Sequence, residues 1–136
     1  MKNNNDLPAR ALAFAEAVHA GQLRHDGEPY IEHVKRVAAA FSDPIDVACA
    51  LLHDCIEDGP DDVAHRMHAE FGSAIFGTVL LASRLPQESY AEYIRFVKHD
   101  DRARRIKLAD LADNLNGCPD SLRKRYLRAQ AILEAA

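Results

Sequence analysis

The chain reads as all-α, a single compact helical bundle of about seven to eight helices over residues 1–136. Apolar residues recur at helical spacing along most of its length. Gly, Pro and Asp cluster in the gaps between those stretches, and no alternating β-branched run of strand length occurs. With 136 residues, 48% of them hydrophobic, the chain has apolar content enough for one real core. It shows no internal repeat, low-complexity stretch or linker.

Residues 7–20 place Leu12, Ala15, Val18 and His19 near one face, with Pro8 in the first turn and Gly21 as terminator. The segment GQLRHDGEPY is rich in turn formers, Asp26-Gly27 above all. Pro29 opens a second helix with the stripe Val34, Val37, Ala38, Phe41. The next stretch, Pro44 to Asp58, is the centre of the chain. Ser42 or Asp43 caps it, and Pro44 starts it. On one continuous helix, Ala48, Cys49, Leu51, Leu52, Cys55 and Ile56 share a broad apolar face, and His53, Asp54, Glu57 and Asp58 fall on the remaining arc. A helix apolar nearly all round belongs in a core, so these four polar groups are expected to be carried inward. Beyond Gly59-Pro60, helices are expected over 61–71, ending at Phe71-Gly72, over 73–84, and after Pro86 over 87–98. Asp100 and Asp101 begin another, with the stripe Leu108, Leu111, Ala112, Leu115, which Gly117 and Pro119 end. A basic amphipathic helix over 120–134 follows.

A net charge of −4 and a pI near 5.9 argue against nucleic acid as a partner. No apolar run is long enough to cross a bilayer, so no membrane partner is expected, and Met1 to Leu7 lack a secretory pattern. Cys49, Cys55 and Cys118 are an odd count. The first two read as small core residues and the third as inert, which suits a reducing cytoplasm. His65, His68 and His99 read as solvated, as does the basic run Arg123, Lys124, Arg125, Arg128, which could also dock a partner, and His19 reads as a core histidine or one that supports the metal ligands from behind.

Buried carboxylates need compensation, and a divalent metal supplies it economically. His53-Asp54 alone would be a hydrogen-bonded core pair, but it offers one ion an imidazole and a carboxylate from one turn. His33 in the second helix and Asp110 in RIKLADLADNL are good sources for the rest. Such a mixed N/O set suits one divalent ion, Mn²⁺ first, with Fe²⁺, Mg²⁺ or Zn²⁺ as alternatives, better than a thiolate site would. Glu57 and Asp58 oppose the helix dipole at the end of the central stretch, and that cost points to function.

The order His33, His53-Asp54, Asp110 resembles the HD metal-dependent phosphohydrolase superfamily. HAGQLRHDGEPYIEHVKRVA, ALLHDCIED and IKLADLADNL look like the hydrolase domain of RelA/SpoT homologues, including the stand-alone small alarmone hydrolases, over roughly residues 9 to 117. The resemblance implies an all-α HD domain that removes the 3′-pyrophosphate from (p)ppGpp. It matches His33, His53, Asp54 and Asp110 to the metal ligands and Glu57 and Asp58 to the acidic pair that activates or orients the attacking water. It matches Arg24 to a basic residue near the guanine nucleotide, and Tyr30, Lys107 and Asn114 to positions lining the substrate pocket. Where the family carries a second basic residue, a Thr, an Arg and a His, this chain has His25, Gly59, Leu111 and Asp113. The family's Thr-Lys element is not recognisable in LLASRLPQ. These changes remove positive charge from the nucleotide side. Two other readings accompany this one: an HD nucleotidase of different specificity, and a metal-bound nucleotide sensor or interaction module without turnover.

Overall fold

Among the described residues eight helices follow one another: α1 Leu7–Val18, α2 Tyr30–Ala38, α3 Pro44–Leu52, α4 Cys55–Asp58, α5 Val63–Leu81, α6 Tyr90–Lys98, α7 Asp101–Asn114 and α8 Asp120–Glu134. They come from a computed structural model that describes residues 6–135, so most of the Met1 to Leu7 stretch read for a leader lies outside it. Among the described residues an isolated bridge between Leu23 and Pro29 is the sole β feature, and the all-α expectation holds. No helix there is long and apolar enough to cross a membrane.

Asp43 rather than Ser42 caps α3, its carboxylate accepting from the Ile45 and Asp46 amides at 2.9 and 3.2 Å. Helices α1, α2, α5 and α7 pack around α3. Leu52 is fully buried there, worth about 2–3 kcal/mol of apolar burial. Phe14 and Val18 of α1, Val34 and Val37 of α2, and Met67 and Val79 of α5 share this core. A second cluster joins Tyr93, Ile94 and Val97 of α6 to Leu111 of α7 and Leu133 of α8. Helix α7 belongs to both, with Ile106 in the first and Ala103 and Leu111 in the second.

The stretch 44–58 is not one helix. It breaks at His53-Asp54, between α3 and α4. The cause is local. In an unbroken helix the Ala50 carbonyl would accept from the Asp54 amide. Here the His53 amide approaches it at 3.4 Å and His53 Nδ1 at 2.6 Å. The inward placement of all four polar groups is corrected as well: His53 and Asp54 are buried, whereas Glu57 and Asp58 stand on the exposed rim. Other boundaries move for equally local reasons. Helix α6 begins at Tyr90 because Ser89 and Glu92 form a capping box. Gly72, with φ of +86°, interrupts α5 where two helices were expected to meet. On α7, Ala112 is exposed, and the buried face runs through Ala103, Ile106, Asp110 and Leu111.

Two points of the fold are tightly held. At Gly59 a Cβ atom would lie 2.6 Å from the Cys55 carbonyl oxygen, 2.7 Å from Val63 Cγ2 and 2.9 Å from Val18 Cγ1. On the far side of α3, buried Asp46 accepts from Arg102 Nε at 2.6 Å and Arg105 Nη1 at 3.0 Å, which ties α3 to α7. Burial opposes the Asp46 charge, but the Arg105 and Arg102 hydrogen bonds outweigh it and hold the carboxyl below its usual range. A depressed folded-state pKa means stability that is present above the ordinary carboxylate range and lost as pH falls through the folded value. Asp46→Ala should cost about 1–2 kcal/mol near neutral pH, since both arginines can turn to solvent. The difference from wild type should shrink on acidification, as urea unfolding at pH 7 and pH 3 will show. A constant difference would reject the ion-pair account.

Candidate metal centre and active site

At the seam of the two cores, α2, the α3–α4 break and α7 bring four buried side chains to one point: His33, His53, Asp54 and Asp110. One donor atom from each lies within 4.8 Å of all the others. His33 Nε2 is 2.9 Å from Asp110 Oδ1 and 3.6 Å from Asp54 Oδ2. His53 Nε2 is 2.9 Å from Asp54 Oδ2 and 3.1 Å from Asp110 Oδ1.

The outer ring nitrogens fix which atoms face inward. His53 Nδ1 meets the Ala50 carbonyl, which can only accept, so Nδ1 carries the hydrogen and Nε2 is presented to the centre. His33 Nδ1 meets Asp113 Oδ2 at 2.6 Å, with the same result. A histidine held this way by a carbonyl or carboxylate is the ordinary arrangement behind a metal ligand. Burial disfavours a charged His33, but hydrogen bonds to Asp110 and Asp54 push it up to about 9. Two imidazoles and two carboxylates facing one point therefore draw in positive charge, and one divalent cation matches this N/O set. The residues fit a metal.

The surrounding side chains serve the same carboxylates. Tyr30 donates its hydroxyl to Asp54 Oδ2 at 2.7 Å, and burial followed by the Asp54 charge keeps that phenol protonated. Lys107 Nζ bonds Asp110 Oδ2 at 2.8 Å, and Asn114 Nδ2 reaches Asp110 Oδ1 at 3.3 Å. Burial opposes the Asp110 charge, but Lys107 and the two histidines hold its carboxyl well below the usual range. Arg24 is buried, donates to Asn114 Oδ1 at 3.1 Å and lies 3.5 Å from Asp113.

Glu57 stands at the rim with one flank open to solvent, and its Oε1 accepts from the Arg84 amide at 2.8 Å. Desolvation by the surrounding protein and then the Asp54 charge push its carboxyl up to about 7. Asp58 lies beside it, also raised, by burial first and then by Asp54. A cavity of about 260 Å³ opens next to the cluster, and Arg24, Tyr30 and Asn114 line it with Leu122 and Tyr126. His25 is on its wall, where its Nε2 meets the Gly117 carbonyl at 2.7 Å. Lys107 is not part of that wall.

Sequence reasoning missed two groups. Asp113 holds His33 and is itself gripped by Arg36 Nε at 2.7 Å, and Arg36 also pairs with Glu28. Its position one turn beyond Asp110 was a visible signal. Arg84 had none, because only folding brings its amide to Glu57.

The profile of a family described as HD domain matches residues 11–131. The chain belongs to the HD domain family. This HD domain is 34% identical over 117 residues to a guanosine-3′,5′-bis(diphosphate) 3′-pyrophosphohydrolase of Haemophilus influenzae, covering 75% of this chain and 17% of that protein. It is 32% identical over 126 residues to a probable GTP pyrophosphokinase of Mycobacterium leprae, covering 84% of this chain and 16% of that one. The HD domain thus spans about a sixth of the length of these curated relatives. A solved structure reported as a metazoan ortholog of SpoT that hydrolyzes ppGpp superposes with a TM-score of 0.76 at 25% identity. That match covers 98% of this chain and 86% of the other.

Proposed function

We propose that this HD domain is a metal-dependent phosphohydrolase that removes the 3′-pyrophosphate from guanosine 3′,5′-bis(diphosphate)-like nucleotides. The observation that carries the reading is the convergence of His33, His53, Asp54 and Asp110 beside a carboxylate, Glu57, that is not one of the four. A divalent ion bound there, Mn²⁺ in our assignment, would lower the pKa of a water and polarise a phosphoryl oxygen. Glu57, anchored by the Arg84 amide, takes the proton from the attacking water, and Asp58 orients it. Arg24, Tyr30 and Asn114 hold the nucleoside in the 260 Å³ cavity, and Lys107 offsets phosphate charge. The names of the relatives support this substrate class. We read the 136 residues as one phosphohydrolase domain working in the cytoplasm, which suits three free cysteines.

A nucleotide screen with Mn²⁺, scored separately for phosphate and pyrophosphate, tests the reading. Pyrophosphate release from guanosine 3′,5′-bis(diphosphate) is expected. Orthophosphate from other nucleotides would make it a different HD nucleotidase, and binding without turnover would make it a sensor.

Asp113 is expected to act through His33. Asp113→Ala should weaken metal binding about 10–100-fold by equilibrium dialysis. Asp113→Asn, which keeps an acceptor for Nδ1–H, should recover part of that loss. Equal affinity in all three proteins would remove Asp113 from the site.

A further inference from the structure

We propose that Glu88, a half-buried residue outside the metal cluster, positions Glu57 by closing the turn that presents the Arg84 amide to it. For the role of Glu57 as general base this rests on the phosphohydrolase reading above. Helix α5 ends at Leu81, and the first two amides beyond it still find helix carbonyls, Ala82 N–H that of Thr78 and Ser83 N–H that of Leu80. The next two turn to side chains. Arg84 N–H is accepted by Glu57 Oε1 at 2.8 Å and Leu85 N–H by Glu88 Oε1 at 2.9 Å. Two adjacent amides are thus divided between two carboxylates, one from α4 and one from the turn itself.

The turn is written locally in the chain. Pro86 stands second in Leu85-Pro86-Gln87-Glu88, the place where β-turns favour its fixed φ, and Glu88 N–H closes the turn on the Leu85 carbonyl at 3.1 Å. The Glu88 carboxylate then reaches back to the amide of the same Leu85, and Arg84 Nε adds a tie to the Glu88 carbonyl at 3.2 Å. Both ends are pinned. Buried Ser83 sets its hydroxyl on the Val79 carbonyl at 2.7 Å, and Ser89 starts α6 through its capping box. Between those pins Leu85, Pro86 and Gln87 are exposed, so apolar packing does not hold the turn. Its shape depends on the hydrogen bonds that Glu88 makes.

Glu57 in turn depends on the Arg84 amide. It is the one hydrogen bond that the Glu57 carboxylate makes among the described residues. Asp54, Lys107 and Asp58 act on that carboxylate only through their charges, which give it no fixed direction. A general base works from a defined position, and a displacement of about 1 Å can cost on the order of 10²-fold in rate. Glu88 itself has no ion-pair partner among the described residues, although the Arg84 guanidinium lies beside it. Its carboxylate is committed to the turn, not to a surface charge pair.

The test follows two quantities in the metal-loaded full chain: turnover of guanosine 3′,5′-bis(diphosphate) and hydrogen exchange at the Arg84 amide. Glu88→Ala should lower kcat by about ten- to a hundredfold, with KM and metal content unchanged. Glu88→Gln keeps an oxygen for the Leu85 amide and should stay within about twofold of wild type. In a Glu57→Gln background Glu88→Ala should cost nothing further, because its effect runs through the Glu57 carboxylate. The Arg84 amide should exchange at least about tenfold faster in Glu88→Ala and at the wild-type rate in Glu88→Gln. Wild-type kcat in Glu88→Ala, an equal loss in Glu88→Gln, or the same loss with and without Glu57 overturns the positioning role. Wild-type exchange at Arg84 in Glu88→Ala overturns it as well. If the wild type hydrolyses nothing, exchange decides alone: faster exchange in Glu88→Ala keeps the hold of the turn on Glu57, and only the catalytic reading falls.

Discussion

Asp110→Ala should destabilise the chelator-treated protein by about 3–5 kcal/mol, the cost of stripping the partner from a buried charge. Asp110 accepts from Lys107, Asn114 and both histidines, and Lys107 is enclosed with the Asp110 charge as its main support. The same variant should lose the stabilisation that a divalent ion gives wild type, about 2.7 kcal/mol at a hundredfold excess over Kd. Urea unfolding with EDTA and with Mn²⁺ separates the two effects. His53→Ala should show the second loss as well. If both variants keep the Mn²⁺ increment, the four residues do not form a metal site.

Glu57→Gln should lower hydrolysis by about 10²- to 10⁴-fold, the usual share of a positioned general base. The substitution keeps the shape of the side chain and an oxygen for the Arg84 amide, so the anchor at 2.8 Å survives. Metal content and melting temperature should therefore stay at wild-type values while turnover falls. Single-turnover assays under saturating nucleotide are the measurement. Turnover within a factor of three of wild type would hand the proton to another group, Asp58 being next in line.

Much of this was legible because some residues are expensive to bury. A chain does not place His33, His53, Asp54 and Asp110 at helical core positions without a reason, and all four meet at one point. Proline, glycine and acidic caps gave most helix starts, Asp43 and Pro44 among them. What escaped notice depends on atoms that a helical wheel does not contain. The break at His53 arises because its own ring claims the Ala50 carbonyl, a side-chain event invisible to periodicity. Asp113 looked like a lost histidine on the nucleotide side, yet it faces His33, because α2 and α7 are neighbours only in the fold. The rim position of Glu57 and Asp58 is a tertiary fact too: the short helix α4 carries Cys55 into the core and ends with these two carboxylates at the surface.

The closed space around Gly59 makes that departure difficult to reverse. Restoring the family's threonine would set its Cβ against a backbone oxygen that cannot move without α4, and against the methyls of Val18 and Val63 on two other helices. The carboxylates at 57 and 58 hang on that same short helix. The motif is therefore not a transferable cassette: grafting the family's longer signature into this chain would require trimming α1 and α5 in the same step.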